Sequence, residues 1–259
     1  MSHHTLSVLS PAKINVFLHV HQRRADGFHD LKTYFQLIDL CDTLTFDVNN
    51  SGEIYVDNPQ LAIPPQADLC HRAARCLQPF CPTRCGVSIR VDKRIPDGGG
   101  LGGGSSNAAT VLRVLNRLWK IHLPEAKLQR LGLDLGADVP IFLHGKSCYA
   151  EGRGEKFSSH MGSHVLHRQI IVIVHPRVHV STVEIFQSPR LTKRPAAGKI
   201  RHLDTVCYQN DFQSLVFARY PEISQAAERL AVYAKPTLTG TGACLYTVLD
   251  DVKKADTIS

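Results

Sequence analysis

The sequence contains no segment that is typical of a membrane anchor or a secretion signal. None of its apolar runs approaches the roughly 20 residues that a helix needs to cross a bilayer. Residues 1–6 (MSHHTL) also lack the basic and then apolar layout of a signal peptide. We therefore expect a cytoplasmic protein with no membrane partner. With 259 residues, of which 43% are hydrophobic, the chain is long enough to bury the core of one large or two modest domains.

Metal-binding patterns of cysteine and histidine are also absent. Cys76, Cys81 and Cys85 lie close together with His71 just before them, but no second cysteine pair follows, as a zinc site would require. The histidines form no His-Glu-x-x-His motif. The eight cysteines are scattered along the chain and do not form a compact disulfide framework. We expect them to be reduced packing residues without zinc.

Basic residues are in excess, but they form no block that is typical of nucleic-acid binding. Lys and Arg number 30 against 23 Asp and Glu, which gives a formal net charge of +7. This excess suits either a nucleic acid or a small, phosphate-rich ligand. The basic residues are dispersed, and no recognition helix, zinc finger or aromatic RNA-binding signature is present. We therefore expect a small phosphorylated ligand and no nucleic-acid partner.

The most informative feature that is present is a glycine-rich run at residues 96–109 (PDGGGLGGGSSNAA). Glycine N–H groups can approach an anion closely, and a following helix offers unpaired N–H groups and the positive end of its dipole. No Lys-Ser or Lys-Thr pair ends the run, so it is not a Walker A loop. A flexible linker is the alternative. Because residues 87–91 alternate like a strand and residues 108–118 repeat like a helix, we favour a phosphate-binding loop.

Ten residues of this run are candidates for binding a phosphorylated ligand. Ser105, Ser106 and Asn107 are good N-cap residues for the helix, and a serine hydroxyl also suits a magnesium ion. The ten candidates are Pro96, Gly98, Gly99, Gly100, Gly102, Gly103, Gly104, Ser105, Ser106 and Asn107.

Hydrophobic periodicity predicts an α+β protein with two layers in each half. Residues 49–52 (NNSG) favour a hairpin turn. The chain is predicted to cross from a first domain (residues 1–157) to a second (residues 158–259) within the polar, glycine-rich segment 152–162. Strands are predicted at residues 6–9, 14–20, 33–40, 43–48, 53–56 and 245–249, with a buried strand at 168–175. Helices are predicted at residues 68–78, from the glycine run to about 120, at 124–133, after 138, and at 181–190, 210–218 and 221–233.

Three further segments carry chemically useful side chains, each with an ordinary structural alternative. Lys13 and Asn15 are two residues apart in an extended segment, so their side chains leave the same face, which suits charge stabilisation and substrate orientation or a simple exposed strand. Asp138 stands two positions before Pro140, the arrangement expected at a helix start, where capping is its ordinary role. Residues 238–244 (LTGTGAC) are expected to bring the backbone close to a ligand or to another segment of the chain, or to form a tight turn.

Taken together and in this order, these segments resemble the three motifs of the GHMP family of small-molecule kinases. The motifs match at residues 11–15 (PAKIN), 96–109 and 238–243. Residues 24–33 (RADGFHDLKT) resemble the signature with which one branch of the family grips a cytidine ring, and residues 136–140 and 180–186 also match. The resemblance extends from residue 10 to about residue 248.

The resemblance implies the two-domain GHMP kinase fold, with an N-terminal domain like ribosomal protein S5 domain 2 and a ferredoxin-like C-terminal domain. It also implies ATP-dependent phosphorylation, assisted by Mg²⁺, of the 2-hydroxyl of a diphosphocytidyl methylerythritol in the non-mevalonate isoprenoid route. We expect a monomer or weak homodimer. Another GHMP kinase, acting on homoserine, mevalonate or a sugar, and a basic nucleic-acid-binding protein with an S5-like fold are the alternatives.

Family roles for the catalytic and phosphate-binding residues follow from the same resemblance. Asp138 is expected to accept the hydroxyl proton, Lys13 to stabilise and orient that oxygen, and Asn15 to hold the methylerythritol end of the substrate. Residues 98–107 are expected to wrap the ATP phosphates, with Ser106 near magnesium.

Family roles for base recognition fall on three aromatic rings. Phe28 and Phe186 are expected to sandwich cytosine, and His29 to form hydrogen bonds with its edge. This chain departs from the family pattern at two positions. The family usually has a tyrosine where this chain has Phe28, and an asparagine near adenine where this chain has Asp68. Relatives continue past the position of Ser259 into another helix and a closing strand. We expect the lack of this sheet edge to affect the stability and activity of the C-terminal domain.

Overall fold

The computed structural model describes residues 5–61, 63–158, 166, 169–188 and 208–251. By their contacts, the residues fall into two compact units that interleave along the chain. Unit 1 comprises Met1–Ala12, Leu37–Ile95 and Gly102–Lys146, and unit 2 comprises Lys13–Gln36, Pro96–Leu101 and Ser147–Ser259. Two long strands, β1 (Thr5–Arg23) and β2 (His29–Asn49), pass through both units and pair with each other. The predicted domain division at residues 157 and 158 stays a prediction.

Unit 1 places helices against a sheet formed by β2, β3 (Ile54–Asp57) and β4 (Gly86–Asp92). In β4, Val87, Ile89 and Val91 are buried and the residues between them are exposed, as the alternation in the sequence predicts. The helices are α1 (Leu69–Leu77), α2 (Gly103–Leu118), α3 (Glu125–Leu135) and α4 (Val139–His144). Helix α2 contacts the other three helices, because its apolar residues recur every three or four positions.

The predicted hairpin at residues 49–52 is wrong. Strand β2 pairs antiparallel with β4, and β3 pairs in parallel with β4, so β4 lies between the two strands that the hairpin would have joined. Gly86 permits this order, because a Cβ at that position would lie 2.4 Å from Asn49 Oδ1 and 2.8 Å from the Glu53 carbonyl oxygen. The absence of a side chain at Gly86 therefore lets β4 start between the two segments.

Unit 2 contains the rest of β1 and β2, the hairpin of β5 (Cys148–Gly152) and β6 (Lys156–Ser158), and a second sheet. The second sheet has the order β7 (Ile170–Val174), β9 (Leu245–Leu249), β8 (Thr237–Leu238). Helices α5 (Thr182–Gln187), α6 (Gln213–Arg219) and α7 (Pro221–Ala231) complete the unit. Residues from β1, the helices and the second sheet share one apolar core around Phe212 and Leu245.

Several predicted elements of unit 2 require correction. Strand β7 is not the buried strand that its apolar run predicts: all five of its residues are half-buried, because it pairs only with β9 among the described strands. The helix predicted from residue 210 begins later, since residues 209–211 continue the pairing of β1: Leu18 N–H donates to the Gln209 carbonyl, and Asp211 N–H donates to the Leu18 carbonyl. Strands β5, β6 and β8 are not among the predicted strands.

Parts of other predictions lie outside the described residues. These are residues 189–190 of the helix predicted at 181–190, residue 168 of the strand predicted at 168–175, and residues 159–162 of the crossing predicted at 152–162. Among the described helices, none combines the length and apolar character that a bilayer span requires.

Candidate active site

Lys13 and Asn15 are buried in unit 2, each with 2% of its surface exposed, which excludes the exposed-strand interpretation. Strand β1 directs both side chains to one face, and Lys13 Nζ donates to Asn15 Oδ1 at 2.7 Å and to the Gly100 carbonyl at 2.9 Å. The Lys13 ammonium also lies 5.6 Å from the centroid of the Phe35 ring. A buried cation held by two oxygen acceptors is suited to stabilising negative charge on a nearby ligand.

Asn15 connects the first motif with the third. Its Oδ1 accepts a hydrogen bond from Gly240 N–H at 3.1 Å, its Nδ2 donates to Thr33 Oγ1 at 2.8 Å, and its backbone N–H donates to Thr239 Oγ1 at 3.1 Å. Residues from all three family motifs therefore meet around Lys13 and Asn15 within unit 2. A substrate held here would meet polar groups whose positions are fixed by one another.

The first part of the glycine run, Pro96–Leu101, packs against the third motif. Ala243 N–H donates to the Gly98 carbonyl at 3.2 Å, and Cys244 N–H donates to the Gly99 carbonyl at 3.1 Å. A Cβ at Gly99 would lie 2.5 Å from Cys244 Sγ, and a Cβ at Gly100 would lie 2.2 Å from the Thr239 carbonyl oxygen. At least these two glycines are thus required for close backbone packing inside the protein, a role that the glycine pattern alone does not predict.

The second part of the run begins helix α2 in unit 1. The expected N-caps Ser105, Ser106 and Asn107 are wrong, because the helix starts at Gly103 and its N-cap is Gly102, which has a φ of 73° and no side chain to form a cap. The left-handed conformation that glycine tolerates turns the chain into the helix earlier than a polar cap would. The first-turn N–H groups, which have no partner within the helix, therefore lie in the glycines and Ser105.

Ser106 and Asn107 are buried in the first turns of α2. The Ser106 hydroxyl donates to the Pro11 carbonyl at 2.6 Å and lies 2.8 Å from Ser10 Oγ. Gly104 is exposed, while Ser105, Gly102 and Pro96 are half-buried. Ser106 thus has protein partners for its hydroxyl, and its role at a magnesium ion stays a prediction.

A buried ionic network lies beside the start of α2 and is marked by no motif in the sequence. Asp42 is fully buried, and its Oδ2 accepts hydrogen bonds from Lys93 Nζ at 2.5 Å and from Asn107 Nδ2 at 3.0 Å. Its Oδ1 accepts the N–H groups of Arg94 and Ile95 at 2.7 and 2.8 Å. The carboxylate therefore fixes the segment that leads into the glycine run. No local signal reveals this contact, because Asp42 and Lys93 are 51 positions apart in the sequence.

Asp138 stands at the N-terminus of α4 in unit 1, as predicted, but its side chain forms no capping hydrogen bond to that helix. Pro140 occupies one of the first positions of α4, where a missing N–H causes no loss. The structural alternative for Asp138, helix capping, thus loses its main support. In contrast, the Asp68 side chain does cap a helix: it accepts the N–H groups of Cys70 and His71 at the start of α1.

The three aromatic rings that are predicted to bind cytosine lie in unit 2. His29 is buried, and its ring centroid lies 5.5 Å from that of Phe186. Phe186 in turn packs edge-to-face on the buried Phe212 ring at 4.8 Å, so it has a packing role in the core as well. Phe28 is 47% exposed, and the Arg153 guanidinium lies 3.6 Å from its ring centroid. Arg153 belongs to none of the motifs that the sequence reveals.

Cys76, Cys81 and Cys85 of the cysteine cluster are free thiols. Burial raises the pKa of the Cys81 thiol to about 12, with a further contribution from its contact with Cys85. Among the residues that the structure describes, no group of three or more His, Cys, Asp or Glu residues is arranged to hold a metal ion. The expectation of a zinc-free protein stays a prediction.

Comparison with known proteins identifies the family. Residues 68–146 match the model of the GHMP kinases N terminal domain. The 4-diphosphocytidyl-2-C-methyl-D-erythritol kinase of Tolumonas auensis is 44% identical, and the match covers 92% of this chain and 82% of the relative. The enzyme of the same name from Thiobacillus denitrificans is 45% identical, and the match covers 92% of this chain and 84% of the relative.

Solved structures agree with this result. A crystal structure of 4-(cytidine 5'-diphospho)-2C-methyl-D-erythritol kinase matches with a TM-score of 0.80 and 28% identity, covering 97% of this chain and 93% of that chain. Mevalonate kinase from Methanococcus jannaschii matches with a TM-score of 0.66 at 15% identity, covering 99% and 93%, which shows the shared fold. The predicted α+β class and GHMP kinase fold are confirmed. The chain belongs to the 4-diphosphocytidyl-2-C-methyl-D-erythritol kinases of the GHMP kinase family.

Proposed function

We propose that this protein transfers a phosphoryl group from ATP to the 2-hydroxyl of 4-diphosphocytidyl-2-C-methyl-D-erythritol, in the non-mevalonate isoprenoid route. The observation that carries the proposal is the buried Lys13–Asn15 pair, which is hydrogen-bonded to both Gly100 and Gly240. This network brings together the three motifs of a small-molecule kinase. The names of the relatives supply the substrate.

The reaction needs a base for the hydroxyl proton and positive charge near the attacking oxygen. We assign the base to Asp138, whose carboxylate makes no capping bond to α4. We assign charge stabilisation and orientation of the oxygen to Lys13, and positioning of the methylerythritol end to Asn15. Because positioning contributes much of the rate in phosphoryl transfer, the mutual hydrogen bonding of Lys13 and Asn15 supports these roles.

We assign binding of the ATP phosphates to the glycine run. The first turn of α2 offers N–H groups and the positive end of the helix dipole, and Gly102 has the positive φ that opens this turn. The ten candidate residues between Pro96 and Asn107 remain the proposed site, with Gly99 and Gly100 acting through packing against residues 239–244.

A magnesium ion would offset the charge of the ATP phosphates. The one protein ligand proposed for it, the Ser106 hydroxyl, is buried and donates to the Pro11 carbonyl. Binding a metal through Ser106 would require this hydrogen bond to be replaced. The arrangement therefore does not favour Ser106 as a ligand, and the roles of Asp138, Lys13 and Asn15 stand without it.

We assign cytosine recognition to Phe28, His29 and Phe186. Stacking on aromatic rings binds a base, and hydrogen bonds along its edge select which base is accepted. The proximity of His29 to Phe186 supports a shared site for these two residues. This site distinguishes the proposed substrate from homoserine, mevalonate and sugars, which have no base to stack.

A coupled ADP-release assay with a panel of acceptors tests the proposal. We expect turnover with the diphosphocytidyl substrate and none above background with homoserine, mevalonate or galactose. Turnover with one of those acceptors and none with the diphosphocytidyl substrate would contradict the proposal. RNA binding measured at physiological salt tests the nucleic-acid alternative, because binding through phosphates alone weakens steeply as salt rises. The cytoplasmic location and the monomer or weak homodimer stay predictions.

A further inference from the structure

Arg153 lies in the turn of the β5–β6 hairpin in unit 2. Glu151 of β5 pairs with Lys156 of β6, and the turn between them is closed by a hydrogen bond from Gly154 N–H to the Glu151 carbonyl at 3.2 Å. The Arg153 N–H donates to Glu155 Oε2 at 2.6 Å. These hydrogen bonds fix the backbone of the turn. The position from which the Arg153 side chain extends is therefore fixed as well.

The Arg153 guanidinium covers part of the Phe28 ring, with its central carbon 3.6 Å from the ring centroid. At this distance the planar guanidinium both stacks on the ring and is attracted by its π electrons. Phe28 is nevertheless 47% exposed. A flat cation and an open aromatic surface thus lie side by side at the protein surface.

The guanidinium also retains hydrogen-bonding capacity. Arg153 Nε is buried and has no hydrogen-bond partner. No ion pair within 4 Å joins Arg153 to another described residue, although the Asp26 carboxylate is close enough to interact electrostatically with the guanidinium. Other cations of the same region are paired: Arg24 binds Asp26 and Asp30, and Lys32 lies 3.8 Å from Glu151. A buried N–H donor without an acceptor is unfavourable, and an anionic ligand would satisfy it.

We propose that Arg153 is a substrate-contacting residue that binds the diphosphate of a cytidine diphosphate group while Phe28 stacks on the base. The inference rests on the proposed function and deepens it, because the roles assigned above include no cation for this anion. A guanidinium suits the task, since its donors can bind two phosphate oxygens at once while one face remains on an aromatic ring. Arg153 would thereby select a diphosphate over a monophosphate or a free nucleoside.

Binding of CDP, CMP and cytidine, measured by calorimetry, tests the proposal without relying on turnover. We compare wild type with Arg153→Gln, which keeps a planar group without charge, and Arg153→Lys, which keeps the charge without the planar fork. Arg90→Gln is the matched control, because Arg90 lies in β4 of unit 1 with a side chain that is 62% exposed. Circular dichroism verifies that each variant is folded.

We expect wild type to bind CDP more tightly than CMP or cytidine. Arg153→Gln should weaken CDP binding by about tenfold or more and change cytidine binding by less than about threefold, because a hydrogen bond to a charged group is lost but the stack is kept. Arg153→Lys should lie between the two, and Arg90→Gln should equal wild type. CDP binding should also weaken more with added salt in wild type than in Arg153→Gln.

The possible failures are distinguishable. If Arg153→Gln binds CDP as wild type does, or binds all three ligands more tightly, Arg153 merely covers Phe28 and the inference is wrong, while the proposed function is unaffected. If wild type binds none of the three ligands, the cytosine site in the proposed function is wrong as well, and the inference falls with it.

Discussion

Replacing Gly100 with alanine should destabilise the protein far more than the same change at Gly104, which lies in the second half of the glycine run. Gly100 has a φ of 74°, and a Cβ there would lie 2.2 Å from the Thr239 carbonyl oxygen and 3.0 Å from that of Gly242. Gly104 lies in α2, and its nearest neighbour to an added Cβ is Leu69 Cδ1 at 3.5 Å, an ordinary contact.

The magnitude follows from these two environments. At Gly100 the left-handed conformation costs an alanine about 1–2 kcal/mol, and moving two backbone segments apart, from 2.2 Å to at least 3.0 Å, costs a further ~1–3 kcal/mol. The free energy of unfolding should therefore fall by about 2–5 kcal/mol. Gly104→Ala should instead leave it unchanged or raise it by up to about 1 kcal/mol, because alanine is favoured within a helix.

Urea unfolding, followed by circular dichroism, measures both variants. The backbone displacement in Gly100→Ala should also disturb the Gly100 carbonyl, which accepts a hydrogen bond from Lys13. The activity of the folded variant should therefore be low. Equal stability of the two variants would refute the reasoning, since it would mean that residues 98–100 are a flexible linker and not a packed segment.

Three further predictions concern single side chains, and a fourth concerns zinc. Asp138→Asn should lower turnover by about two to four orders of magnitude with little change in ligand affinity, and unchanged turnover in a steady-state assay would remove Asp138 as the base. Phe186→Ala should raise the dissociation constant for CDP about tenfold and also lower stability, because the ring packs on Phe212; a stability loss alone would make Phe186 a core residue. Because folding raises the pKa of Cys81 to about 12 and that of Cys244 to about 12, the folded protein keeps protons that the unfolded chain releases above about pH 9. The free energy of unfolding should therefore fall as pH rises from about 9 to 12, and it should fall less steeply in Cys81→Ala. Equal slopes for the two proteins in urea titrations would contradict this prediction. Metal analysis of the purified protein should find no stoichiometric zinc.

Local patterns in the sequence are sufficient to predict many of the elements and the family. The alternation of β4 and the three-to-four-residue repeat of α2 depend on neighbouring residues only, so the sequence shows them directly. The same holds for the shared face of Lys13 and Asn15, which a two-residue spacing in a strand determines. Family motifs are equally local, which is why the resemblance to GHMP kinases is visible in the order of residues alone.

Contacts between distant segments were decided by the tertiary structure alone. The insertion of β4 between β2 and β3, the pairing of Asp42 with Lys93 and the stacking of Arg153 on Phe28 each join residues far apart in the chain. Periodicity carries no information about such partners, because it reports which face of an element is apolar and not what that face contacts. For the same reason, the sequence indicated only that the glycine run suits close approach to an anion. The folded chain shows that the neighbours of Gly99 and Gly100 are a side chain and backbone atoms of residues 239–244.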